Sequence, residues 1–232
     1  MKTGYYTMKT KVSRAGVALV ALLATAGTAV AEGEWSGNVA VTSDYVWRGI
    51  SQSNEDPAIS GGFDYANGSF YAGAWASNVD FGDASDTNLE ADFYGGFASE
   101  FANGVTWDIG VIYYAYPDAD DEDLDFVELK AALGYEFEGG IGVGGEVYWD
   151  PDNESVYVSG SAGYSFTDAF SADVSVGNYS FDGGGDYTNW SLGGTYSLPI
   201  GIDVDLRYWA QQGEGRQSEM DLAAFVISPQ SP

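Results

Sequence analysis

The residues able to do chemistry in this 232-residue chain are almost all carboxylates. Histidine and cysteine are absent, which removes serine–histidine–aspartate triads, cysteine–histidine dyads, and imidazole or thiolate metal sites together. Paired carboxylates for glycoside hydrolysis are formally possible. With 35 acidic residues no pair stands out, so no catalytic residue and no cofactor is expected and the chain reads as not an enzyme. What does carry a pattern is charge at alternating positions: Asp44 and Arg48, Glu90 and Asp92, Glu128 and Lys130, then Asp203, Asp205 and Arg207. Separations of two or four residues put the members of each set on one face of a β-strand. Enclosed in a barrel, such a face would line a pore, pair its bases with carboxylates and bias conduction toward cations. The opposed reading is a plug-like network in a barrel too narrow to conduct.

The elements that must position these residues are strands. The stretch 38–48 (NVAVTSDYVWR) puts Val39, Val41, Ser43, Tyr45 and Trp47 on one face and Asn38, Ala40, Thr42, Asp44, Val46 and Arg48 on the other, and is expected to be the first of twelve. The others are 58–66, 70–78, 88–101, 105–116, 124–137, 141–149, 156–166, 170–179, 187–198, 202–209 and 220–227. The alternation is cleanest in 88–101, where Leu89, Ala91, Phe93, Gly95, Phe97 and Phe101 oppose Asn88, Glu90, Asp92, Tyr94 and Glu100. In 70–78 it is ambiguous, because Phe70, Ala72, Ala74 and Ala76 compete with Tyr71, Trp75 and Val79 for the outer face. Aromatics near strand ends (Tyr45, Trp47, Phe101, Tyr113, Tyr135, Phe137, Trp149, Phe166, Tyr208) suit interfacial girdles.

Past the N-terminus no apolar run approaches the ~20 residues of a spanning helix, which leaves a barrel as the only way to cross a membrane. The connections alternate with strand parity. Compact turns at 66–69, 102–104, 138–140, 167–168 and 199–201 alternate with mostly longer, acidic loops at 49–56, 80–87, 117–123, 150–154, 180–186 and 211–218. With both termini in the periplasm, every compact turn falls on that side, as outer-membrane barrels require. A soluble periplasmic sandwich has no reason to keep that parity. The expected fold is therefore all-β: a transmembrane antiparallel up-and-down β-barrel of about twelve strands.

Residues 8–31 have a basic start, an apolar run and small residues Ala29 and Ala31 around Val30, the form of an export signal peptide, with 1–7 as an upstream start. Residues 32–232 then form one barrel domain. Four of the eight basic residues lie before residue 32, leaving Arg48, Lys130, Arg207 and Arg216 against all 35 carboxylates, a formal charge of −31. Such a surface repels nucleic acid and attracts cations; general solubility in a salty habitat is the alternative source of the same acidity. The loop 118–125 (DADDEDLD) offers oxygens to calcium, but lacks the spaced glycine and terminal glutamate of an EF-hand and reads more simply as a solvated acidic loop, so no metal residue is assigned.

The run 43–81 resembles the opening signature of the TorF-family porins. It carries Ser43, Asp44, Tyr45, Arg48 and Gly49, then Pro57 and Ala58, Asp64 and Tyr65, and the stretch from Tyr71 through Trp75 to Asn78. A second match is 110–117 (GVIYYAYP), with Tyr114, Tyr116 and Pro117, followed by 126–128. The resemblance implies an outer-membrane channel whose partners are outer-membrane lipid, the barrel-assembly machinery and small diffusing solutes or cations. One departure is the ending FVISPQSP, with Phe225 seven residues from the terminus, where such barrels usually finish on an aromatic residue. The expected function is passive diffusion of small solutes through a cation-biased lumen. The alternative is a non-conducting structural or surface-interaction barrel whose acidic loops bind cations.

Overall fold

The computed structural model describes residues 33–82, 85–117, 119, 124–213, 221–222 and 224–225. The proposed signal peptide and most of the DADDEDLD loop lie outside them. Eleven long strands form a continuous antiparallel sheet: β1 (Glu34–Thr42), β4 (Ala58–Asn67), β5 (Phe70–Asn78), β6 (Leu89–Glu100), β7 (Val105–Ala115), β8 (Phe126–Phe137), β9 (Ile141–Asp150), β10 (Ser155–Ser165), β11 (Phe170–Phe181), β12 (Tyr187–Leu198) and β13 (Ile202–Gly213). Each pairs with the next in order. Two short segments complete the ladder, β14 (Asp221–Leu222) against β13 and β15 (Ala224–Phe225) against β1. Each of these pairs with its long strand over two residues, so the end of the chain meets part of both edges that an up-and-down sheet would otherwise expose. The fold is an antiparallel up-and-down β-barrel.

Period-two alternation decides which side of the wall each residue takes. Leu133, Leu206, Phe63 and Ile109 are among the large apolar residues left exposed on the outside. Asp64, Glu90, Glu128, Asp173, Asp205 and Arg207 are buried on the inside. This inversion of the soluble pattern is the one a lipid-facing barrel requires. The ambiguity in β5 resolves by register: Phe70 sits opposite outward Phe97 and Ala74 opposite outward Phe93, so the alanines face out and Tyr71 and Trp75 face in. Compact turns and longer loops occupy opposite ends, and glycines with φ of 61° to 98° at Gly68, Gly104, Gly139, Gly140 and Gly201 close compact turns where side chains rarely fit.

The largest departure from expectation is at the start. The first strand ends at Thr42, not Arg48, and the chain turns into the barrel. There it forms a two-residue hairpin, β2 (Val46–Trp47) against β3 (Ile50–Ser51), outside the main sheet. Tyr45 and Trp47 therefore lie inside the barrel and belong to no interfacial girdle. The physical reason is that Ser43, Asp44 and Gly49 favour turns, and Asp44 is satisfied locally: its Oδ1 accepts from the Ser51 hydroxyl at 2.6 Å and lies 3.0 Å from that of Ser53. Smaller differences are β11 running on to Phe181 and β13 to Gly213, where shorter strands were expected, and β8 starting at Phe126 instead of 124.

An arginine placed at outward Ile109, near the middle of β7, is expected to destabilise the refolded barrel by about 2–4 kcal/mol, and one at rim-facing Thr188 by at most about 1 kcal/mol. Urea unfolding of both variants in lipid vesicles checks the difference.

Candidate pore constriction

The inward hairpin brings its tip against the wall. Arg48, 5 % exposed, forms a two-pronged ion pair with Glu128 of β8, Nη1 to Oε1 at 2.6 Å and Nη2 to Oε2 at 2.7 Å, and Glu128 is 1 % exposed. The guanidinium carbon lies 4.2 Å from the ring centre of Trp47, 4.8 Å from Tyr148, 4.3 Å from Tyr157 and 4.9 Å from Tyr179. Burial alone would pull the Arg48 charge down, but the Glu128 hydrogen bonds and charge outweigh it and hold the group firmly cationic. The turn itself is unusual. Arg48 has φ of 50° and Gly49 of 83°, the consecutive left-handed pair of a type I′ hairpin turn, whose first position normally takes Asn, Asp or Gly. Gly49 is required twice over, because a Cβ there would also come within 2.7 Å of Asn189 Cβ. Arginine is not what the backbone asks for at position 48; its side-chain contacts are what keep it there.

A second part of the network lies beside it. Glu90 accepts from the hydroxyls of Tyr45 at 2.9 Å and Tyr116 at 3.2 Å, and Tyr114 donates to Glu128 at 3.1 Å. Burial, then the charge of Glu90, raises the Tyr45 hydroxyl well above its usual range, so it remains a donor. The second long loop braces the hairpin through the Asp80 amide, which donates to the Gln52 carbonyl at 2.8 Å.

Further from the hairpin, Lys130 pairs with Asp108 at 2.8 Å, and Tyr71 donates to the same carboxylate. Across the barrel Arg207 pairs with Asp173 at 2.6 and 2.8 Å and with Asp205 at 3.2 Å, and Thr195 also donates to Asp205. A Cβ at Gly193 would collide with this guanidinium, so the glycine makes its room.

Eight of the nine charged positions singled out in the sequence face or enter the lumen. Glu90, Asp92, Glu128, Lys130, Asp203, Asp205 and Arg207 do so from strands, and Arg48 from the hairpin. Asp44 instead holds the hairpin's own fold. The three bases do not meet in one ring: Arg48 sits at the long-loop end, and Lys130 and Arg207 on separate walls. Of the residues in the TorF-like motif, Ser43, Asp44, Tyr45, Arg48, Gly49 and Pro57 belong to the inward segment, while Asp64 accepts from Tyr94 at 2.5 Å and Tyr45 packs on Trp75. Tyr65 stacks outside on Trp35, and Asn78 accepts from the Ile59 amide. Asp108, Asp173 and the tyrosines 148, 157 and 179 were missed, although each falls on the polar alternate positions of its strand. Among the described residues no cluster of three or more carboxylates is placed to hold a metal ion.

Several solved structures share this fold. The KdgM porin superposes with a TM-score of 0.60 at 6% identity, covering 86% of this chain and 100% of that one. The NanC porin gives 0.56 at 10% identity over 85% and 99%. The COG4313 outer membrane channel from Pseudomonas putida F1 gives 0.51 at 12% identity over 86% and 96%. At such identities the likeness is one of fold. No curated protein sequence matches the chain. A family described as "Bacterial protein of unknown function (Gcw_chp)" matches residues 26–221. The resemblance to TorF-family porins thus meets a match under another name, and its coarser content, a porin-like barrel, is what these findings carry.

Replacing Arg48 by Met strands Glu128 as a buried unpaired charge and is expected to cost about 3–5 kcal/mol, whereas Arg48→Met combined with Glu128→Gln recovers much of that loss. Thermal unfolding of the two single variants and the double variant measures the coupling.

Proposed function

The chain belongs to the Gcw_chp family, and we propose that it is a porin-like channel of the bacterial outer membrane, passing small solutes passively and without catalysis, with a bias toward cations. Residues 1–31 serve export in this reading, and lipid and the barrel-assembly machinery are its membrane partners. Supporting it are an apolar outer wall, a polar lumen and a fold shared with the KdgM and NanC porins and the COG4313 channel. A KdgM structure holds disordered oligogalacturonate. An acidic solute of that kind suits this lumen poorly.

The observation that carries the cation bias is how the inner carboxylates are satisfied. Three bases occupy ion pairs, but Asp64 and Glu146 are held by hydroxyls: Tyr94, and Tyr148 with Ser159. Hydroxyl donors stabilise a carboxylate without cancelling its charge. A surplus of fixed negative charge along a pore concentrates cations and excludes anions. The buried hairpin favours a second reading, a barrel closed in this state, since it occupies the long-loop end of the lumen.

Single-channel recording of the refolded mature chain under a potassium chloride gradient is expected to give a reversal potential on the cation side. Glu90→Lys with Asp92→Lys should move it toward anions, and an unchanged reversal potential would sink the selectivity assignment. Shortening the segment between Asp44 and Asp56 should raise conductance; insertion with no current in either form would establish the closed barrel.

A further inference from the structure

The cage around Arg48 has more wall in it than hairpin. Tyr148, Tyr157 and Tyr179 stand directly opposite one another in register on β9, β10 and β11, so the barrel presents a row of three ring faces at one level. Glu128 is placed beside that row, with both oxygens aimed at the caged guanidinium and Tyr114 holding one of them. Only Trp47 among the rings comes from the hairpin. An electron-rich aromatic row with a carboxylate able to take two parallel N–H bonds is built for a flat, delocalised cation. Arg48 keeps these wall contacts from a left-handed backbone that favours Asn, Asp or Gly at this position.

The cage also has an approach. A cavity of about 500 Å³ at the long-loop end is lined by Trp47 and Tyr179 from the cage itself, with Phe126, Phe181 and Tyr187 adding apolar surface and Asp150, Asp182 and Asp186 adding charge. A cation entering from the loops would collect here, one ring away from Arg48.

We propose that Glu128, Tyr148, Tyr157 and Tyr179 form a binding site for solutes bearing a guanidinium head, and that Arg48 occupies it as an internal stand-in. The incoming guanidinium makes the same bonds to Glu128 and the same ring contacts, so the exchange replaces the hairpin's wall contacts without stranding the buried carboxylate. This names a solute class for the channel, and rests on that reading for the route by which the solute arrives.

Binding is tested apart from conduction, on the whole mature protein refolded in detergent, with methylguanidinium as probe and calorimetry as readout. Heat-modifiable gel mobility reports folding. Arg48→Ala is expected to bind methylguanidinium at least about tenfold more tightly than the wild type, whose site is filled, and adding Tyr157→Leu should remove at least about tenfold of that gain. Equal binding by Arg48→Ala and wild type, or no effect of Tyr157→Leu, overturns the proposal whether or not the barrel conducts. Should Arg48→Ala not fold, the wild type decides: a saturable change in fluorescence on methylguanidinium addition, lost in Trp47→Phe, is expected, and a flat titration overturns the site. A barrel that binds the probe and passes no current would instead overturn the channel reading alone.

Discussion

Everything inside this barrel follows from the cost of enclosing charge. A guanidinium withdrawn from water must bring its counter-charge and donate through its whole fork, or the desolvation penalty of several kcal/mol stands uncompensated. Arg48 meets that demand with both oxygens of Glu128, and Arg207 with both oxygens of Asp173 and a further contact to Asp205. The first of these pairs does more than satisfy a charge. It reaches from a loop to a wall strand 80 residues away and so fixes where the inward hairpin ends.

Around the ion pairs, size alternation does the remaining work. Large inner side chains are set against glycines: a Cβ on Gly73 would strike Tyr94, one on Gly177 would strike Tyr157, and one on Gly193 would strike Arg207. Small interiors are filled this way, large residue against small, when a barrel tapers or folds a loop inward. The hydroxyls then reach across the space to carboxylates, as Tyr94 does to Asp64 and Tyr148 to Glu146. The lumen is thereby crowded and still acidic, because tyrosine satisfies a carboxylate without adding positive charge.

How much of this could be seen in the sequence depended on whether an interaction was periodic. Strand existence, the two faces and the parity of turns and loops were legible, because an apolar outside and a polar inside impose period two on every long strand. The polar identity of Glu90, Asp92, Glu128 and Lys130 came with that pattern. The hairpin did not, because Tyr45, Trp47 and Arg48 continue the alternation of β1 by coincidence while Ser43 and Asp44 break the strand. Alternation says which face a residue would take if the strand went on, not whether it does. The partners of the bases were half legible: Asp108 and Asp173 stood at inner positions, but which base each would meet depends on register across strands 22 and 34 residues apart in sequence.

The contacts that hold the hairpin fall into two sets with different consequences. One is internal: Asp44 with Ser51 and Ser53, the Gln52 amide to the Tyr45 carbonyl at 2.6 Å, and the tight turn at Gly49. These keep the segment folded wherever it sits. The other joins it to its surroundings, through Arg48 to Glu128, Tyr45 to Glu90, Trp47 against Tyr114, Phe126 and Tyr179, and Asp80 to Gln52. Only the second set must be exchanged for the hairpin to leave as a unit. Within it the heaviest single cost is the uncovering of Glu128, since an unpaired buried carboxylate is worse than any lost ring contact. A mobile inorganic cation can offset the charge but not the two parallel N–H bonds or the three ring faces. A guanidinium supplies all of these at once, which is why the chemistry of the latch and the chemistry of the solute it would yield to are the same.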